Sequence, residues 1–241
     1  SVILHDVGIS CRRIVNGLKE LHIDMAQVEG IFISHEHSDH IAGLQQLLKR
    51  FDIPVYTKQG TWREIQNKLI VPKNQLIELT KGSLTLGNLI VEPFAVSHDA
   101  ADPIGINVFA GKDKATVVTD TGVISDSILR RMDDTTLLVL EANYDPHMLR
   151  FGPYQPFLKQ RVASDEGHLS NEMAAQALLM MNRPDFMQVI LAHRSENNNN
   201  AVLVTQTIGK MLVDGGVRIG PEMKLQHGQP NEIVSMKSVK R

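Results

Sequence analysis

Within six consecutive positions the chain places His35, Glu36, His37, Ser38, Asp39 and His40. Imidazole nitrogen and carboxylate oxygen at this density are metal ligands, suited to Zn or Mn with Fe as a third option. The strand-like run 31–34 precedes the segment, and a helix-like pattern through Leu44, Leu47 and Leu48 follows it. The motif therefore occupies a strand-to-helix turn, a place where sites are commonly built. Alternate side chains of an extended chain point the same way, so His35 and His37 can hold one metal. Asp39 and His40 can turn toward a second as the chain enters the helix. A histidine-rich surface loop would explain the composition but not this placement.

A two-metal site needs more ligands than one loop supplies. His98 follows the strand-like run 92–97, Asp120 follows 115–119 and His193 follows 188–192. Either histidine alone would more often be a satisfied loop residue; their common position at the C-terminal ends of apolar strands lets them face one cleft. Two ions about 3.5–4 Å apart can share a hydroxide nucleophile and stabilise negative charge that develops on a bound substrate. The leaving oxygen needs a proton, and His168 is the candidate general acid, with phosphate binding or a closed turn as its alternative. Asp39 and Asp120 complete the catalytic set. Ser195, Asn197 and Asn198 are candidate hydrogen-bond donors to substrate phosphate or bases, with helix capping as the competing role. Lys49, Arg50, Arg130, Arg131, Lys159 and Arg161 form scattered pairs and read as a solvated face.

Positioning these residues requires strands that end at a common edge. Apolar, β-branched runs at 2–6, 30–34, 55–57, 89–97, 106–110, 115–119, 137–140, 188–192 and 217–219 alternate with helical patterns, the mark of a layered α/β domain. Ser10 can cap a helix with Cys11, Ile14, Val15, Leu18 and Leu21 on one face; Thr61 with Glu64 makes a capping-box pattern; Ser170 can cap a helix carrying Met173, Ala174, Ala177, Leu178 and Met181. A turn at Lys81 and Gly82 followed by Leu84, Leu86, Leu89 and Ile90 predicts a hairpin.

The 241 residues, 42% of them hydrophobic, are enough for one sizeable core, and one domain is the expectation. A net charge of −2 announces no overall basic field, so a polyanionic substrate would be attracted locally. Cys11 is the only cysteine and reads as a small core residue, which suits the cytoplasm. No run approaches the roughly 20 apolar residues of a membrane span. A homo-oligomer is compatible with the composition.

The pattern His35-x-His37-x-Asp39-His40, followed in order by His98, Asp120 and His193, resembles the metallo-β-lactamase superfamily over essentially the whole chain. Around Asp6-Val7-Gly8, Ser97-His98-Asp99-Ala100, Gly167 to Glu172 and Ala192 to Asn198 it is similar to the YycJ/WalJ-like branch, which is associated with 5′-to-3′ DNA exonuclease activity. The resemblance implies a four-layer αββα sandwich of two mixed sheets flanked by helices. It implies one domain over 1–241, lacking the family's first N-terminal strand and loop and with them one wall of the substrate pocket. It also implies two divalent metal ions per chain. His35, His37 and His98 would hold one, Asp39, His40 and His193 the other, with Asp120 bridging and Asp6 orienting a ligand from behind; DNA ends would be the substrate. A small-molecule phosphodiesterase or thioesterase is the competing enzyme reading, because the fold hosts many substrates. A metal-free binding scaffold is the competing non-enzyme.

Overall fold

The computed structural model describes residues 1–80 and 82–237. They form two compact units, residues 1–95 with 100–104, and residues 96–99 with 105–237. In the first, β1 (Val2–His5), β2 (Val28–Phe32), β3 (Val55–Thr57) and β4 (Leu76–Glu78) lie side by side, all parallel. Parallel neighbours need crossovers. These are α1 (Cys11–Glu20), then α2 (Ser38–Ile41) with α3 (Leu44–Leu48), then α4 (Gln59–Lys68). One core gathers Cys11, Leu18, Ile31, Ile33, Leu44, Leu47, Val55, Trp62 and Ile65. Phe32, between Ile31 and Ile33, takes the opposite face and stacks on Tyr56 at 5.0 Å. Burial on both faces explains why 31–33 reads as an unbroken apolar run. Gly30 lies under the same tyrosine, and a Cβ there would come within 2.7 Å of its ring.

The first unit also holds an antiparallel hairpin of β5 (Leu84–Leu86) and β6 (Leu89–Ala95). Leu86 pairs with Leu89 across a two-residue turn, Gly87 and Asn88, in which Gly87 has φ 53°, the left-handed conformation that short hairpin turns require. The turn expected at Lys81 and Gly82 cannot be placed, since Lys81 lies outside the described residues.

The second unit runs β7 (Ile104–Ala110), antiparallel to β8 (Asp113–Val118), then β9 (Leu137–Glu141), β10 (Met187–Ala192) and β11 (Met223–His227), with β8 to β11 all parallel. Its helices are α5 (Asp126–Met132), α6 (Pro146–Phe151), α7 (Pro156–Val162), α8 (Asn171–Met180) and α9 (Ala201–Asp214). Val118 pairs with Leu140, and Leu140 with Leu191, so the residues after these strands emerge at one level. Among the described residues no helix is long and apolar enough to cross a membrane.

The layered alternation of strands and helices is as the sequence predicts, with Ser10 and Ser170 accepting from Arg13 N and Met173 N at the starts of α1 and α8. Three details differ. Thr61 caps nothing: α4 begins two residues earlier, and the buried Thr61 hydroxyl donates to Asp102 O at 3.2 Å. Residues 217–219 form no strand. Val217 N donates to Leu212 O and Gly216 N to Val213 O, with Gly216 at φ 85°, the paired closure that ends a helix through a left-handed glycine; the edge strand is β11 instead. β4 was not expected, because three half-exposed residues carry no readable period.

Gly30→Ala is expected to lower the unfolding free energy by about 1–3 kcal/mol, the usual result of overfilling a packed site, whereas Gly82→Ala, with nothing within 4 Å of its Cβ, should leave a urea melt within about 0.5 kcal/mol of the parent. Equal midpoints for the two would contradict the packing described around Tyr56.

Candidate metal centre

In the first unit the motif loop is braced from behind by Asp6. The chain leaves β1 through Asp6 at φ 57°, a left-handed turn that aspartate tolerates better than most residues. Its Oδ1 accepts from Ser34 N at 2.7 Å, and its Oδ2 from Ser34 Oγ at 2.8 Å and His40 Nδ1 at 2.7 Å. Burial alone would raise the Asp6 pKa, but the charge of His5, the His40 bond and charge and the Ser34 N–H outweigh it, holding the carboxyl well below the usual carboxylate range. Asp6 is therefore ionised and accepts every proton it meets.

That assignment propagates. Ser34 Oγ gives its only proton to Asp6, so it accepts from His35 Nδ1 at 2.9 Å, and His35 Nε2 is left as the lone pair that accepts from His37 Nδ1 at 2.9 Å. His40 donates from Nδ1, so its Nε2 is likewise a lone pair, 3.7 Å from Asp39 Oδ2. His35 and His40 are buried, while the Asp39 side chain is 67% exposed. Glu36, inside the motif, accepts from Ala101 N at 2.9 Å.

The second unit repeats the device with a different carboxylate. Glu141, the last residue of β9, is fully buried. Its Oε1 accepts from His168 Nδ1 and His193 Nδ1, each at 2.8 Å, and its Oε2 from Thr121 N at 3.1 Å and Leu169 N at 3.3 Å. Burial favours the protonated acid, yet these donors prevail and bring its pKa far below the ordinary value. His193 must then present Nε2 as a lone pair, and that atom lies 3.4 Å from Asp120 Oδ1. His98 donates Nδ1 to Gly167 O at 3.1 Å, which turns its Nε2 toward Asp99 Oδ1 at 3.4 Å and the same Asp120 oxygen at 3.8 Å. Burial, the largest influence on His98, lowers its pKa and keeps the ring neutral, the form that ligates. Asp120 and His193 both turn out of their strands with positive φ, 55° and 51°, backbone strain of the kind that clusters at functional sites.

With metal–nitrogen bonds of about 2.0–2.1 Å, two donors on a tetrahedral ion sit roughly 3.3 Å apart. The 2.9 Å between His35 and His37 and the 3.4 Å between His193 and Asp120 bracket that spacing. The spacing of the donors within each unit suits the ligation of divalent metal.

Glu141 is the residue that sequence reading missed. It ends an apolar strand, as Asp120 and His193 do, so the same signal marked it. Ser195 and Asn198 meet each other, Ser195 Oγ accepting from Asn198 N at 3.2 Å and Asn198 Nδ2 at 3.4 Å, and Asn198 is fully buried. Asn197 is exposed and reaches Tyr154 Oη at 3.5 Å. Asn199 and Asn171 form a buried amide pair at 2.8 and 3.1 Å, and Asn200 caps α9 by accepting from Leu203 N.

A family model described as the beta-lactamase superfamily domain matches residues 3–193. The chain belongs to that superfamily. Within it the chain falls in the YycJ/WalJ branch: it is 34% identical over 230 residues to an exodeoxyribonuclease YycJ of Bacillus anthracis, covering 95% of this chain and 87% of that protein. To an exodeoxyribonuclease WalJ of Streptococcus pneumoniae it is 32% identical over 234 residues, with the same shares covered. Among solved structures it resembles the metallo-β-lactamase fold protein YhfI of Bacillus subtilis, at TM-score 0.66 and 16% identity, over 93% of this chain and 84% of that one. Zn(2+)-bound PqqB of Methylobacterium extorquens is similar too, at TM-score 0.66 and 14% identity, over 93% and 79%. The metallo-β-lactamase fold of the superfamily is thereby established, and that fold implies a site for divalent metal.

Glu141→Gln puts an amide where two imidazoles need an anionic acceptor. Losing such an outer partner typically costs about 10–100-fold in metal affinity, so competition against a chromophoric chelator should show at least a tenfold weaker site, with the circular dichroism spectrum unchanged. Parent-like affinity would reduce Glu141 to a structural residue.

Proposed function

We propose that this protein is a dinuclear-metal phosphodiester hydrolase that degrades DNA from a 5′ end. The observation that carries the reading is the gathering of imidazoles, oriented from behind by Asp6 and Glu141, beside the carboxylates of Asp39 and Asp120. Its relatives' names, exodeoxyribonuclease in both cases, supply the substrate class. His35, His37 and His98 are assigned to one ion, Asp39, His40 and His193 to the other, and Asp120 to both; Zn or Mn suits these ligands, with Fe a third option. When bound, such ions supply Lewis acidity and an activated water at neutral pH.

The chain's own residues do the rest. Glu141 orients His168 through Nδ1, and the anionic carboxylate suits the doubly protonated ring, which would deliver its Nε2 proton to the leaving oxygen and become neutral. Asn197, exposed beside Tyr154, is the candidate donor to substrate among the three polar residues 195, 197 and 198, the other two being engaged with each other. Cys11, buried and free, calls for no oxidising compartment, and we place the protein in the cytoplasm.

The deciding assay offers protein purified without chelator three substrates: 5′-phosphorylated duplex DNA, a phosphodiester reporter and a glutathione thioester, with Asp120→Asn as the control. Shortening of the DNA from its 5′ end, abolished in the control, is expected; rapid thioester cleavage with intact DNA would overturn the assignment. His168→Ala should cut turnover about 10²–10⁴-fold, the range of general acid catalysis, with metal content at the parent level. If metal and activity fall together, the role as proton donor is refuted.

A further inference from the structure

Between Glu141 and His168, whose side chains meet at 2.8 Å, the chain makes an excursion through α6 and α7. Both ends of this arm are fixed close to the functional residues. On the outgoing side Asn143 Nδ2 donates to His193 O at 2.8 Å, and on the return His168 N donates to Val162 O at 2.9 Å. The arm has a small core of its own, in which Tyr144, Leu149 and Val162 are buried with Tyr154 and Leu158 against them. Phe151 and Phe157 stand outside that core, 67% and 72% exposed. Two large aromatic side chains left in water on one short segment point to a binding face. Pro146, Pro153 and Pro156 stiffen it.

Charge narrows the occupant. Residues 146–162 contain no Asp or Glu, against Arg150, Lys159 and Arg161, in a chain whose net charge is −2. Arg161 is tied to Asp99; the other two serve the aromatic face. The Arg150 guanidinium lies 5.3 Å from the Phe151 ring centre, and Lys159 Nζ is brought back to Arg150 O at 2.8 Å. Exposed rings set among cations, in a segment with no acid of its own, match a ligand that carries π faces and phosphates together. That ligand is single-stranded nucleic acid, whose bases stack on aromatic side chains while cations follow the backbone.

We propose that the α6–α7 arm binds the unpaired part of the DNA strand being degraded, Phe151 and Phe157 stacking on its bases and Arg150 and Lys159 meeting its phosphates. The inference rests on the DNA hydrolase reading given above. Because the arm begins and ends on the Glu141–His168 pair, a strand held along it is delivered to the reacting groups.

The test compares metal-replete parent, F151A/F157A and the aromatic replacement F151W/F157W for binding to a nuclease-resistant phosphorothioate dT oligonucleotide by fluorescence anisotropy. The alanine pair should bind about tenfold more weakly or worse, at a parent-like thermal midpoint, and the tryptophan pair should recover most of the affinity. On hydrolysis, the loss on single-stranded DNA should exceed the loss on bis(p-nitrophenyl) phosphate by the same factor. A parent that neither binds nor degrades DNA overturns both readings. A parent that degrades DNA beside an alanine pair of equal affinity overturns this one alone. A shift of the alanine pair to a smaller sedimenting species would assign the face to a second copy of the chain and also overturn it.

Discussion

The centre depends on where two carboxylates keep their charge. Asp6 and Glu141 sit behind the histidines, and each is held ionised by donors that outweigh its burial. An ionised acceptor behind an imidazole fixes a proton on Nδ1 and sets the direction in which Nε2 points. In this chain the effect is doubled: Asp6 sets His40 directly and His35 through Ser34, while one oxygen of Glu141 sets His168 and His193 together. The rings thus arrive with their tautomers chosen. Little reorganisation is left for the moment an ion binds.

Such an arrangement needs a backbone that turns abruptly at strand ends. Asp6, Asp120 and His193 all adopt left-handed φ where β1, β8 and β10 finish. Asp6 and Asp120 belong to a residue type that visits this region readily; His193 pays more, and the hydrogen bond from Asn143 to its carbonyl helps to hold it there. The parallel strands β8, β9 and β10 end in register, so Asp120, Glu141 and His193 need no long loops to meet. Topology and strain together do what a flexible loop could not.

This much was legible in the sequence where a residue type broke an otherwise apolar pattern. His35, His37, His40, His98, Asp120 and His193 each interrupt or end such a run, and the strands behind them stand where the pattern placed them, within two residues at most ends. Glu141 carried the same mark but was not singled out, because a buried acid reads as functional only when its partners are known. Val217 misled for a physical reason: a β-branched residue closing a helix looks like the start of a strand. Thr61 misled similarly, since a hydroxyl inside a helix can serve a distant carbonyl instead of the helix's own N–H groups. The asparagine run gave no hint that Asn199 would pair with Asn171, a contact 28 positions away.

Gly8 carries a consequence for anyone wishing to alter this chain. Its Cα lies against the backbone of Asp39, and any side chain there would collide with the Asp39 carbonyl oxygen; Gly43 is hemmed in the same way by the carbonyls of Val7 and Ile9. Libraries that randomise the histidine loop to change metal preference would therefore do best to keep both glycines invariant, and grafting that loop onto another scaffold would require transplanting residues 6–9 along with it. The smallest unit that can be engineered is two loops, not one.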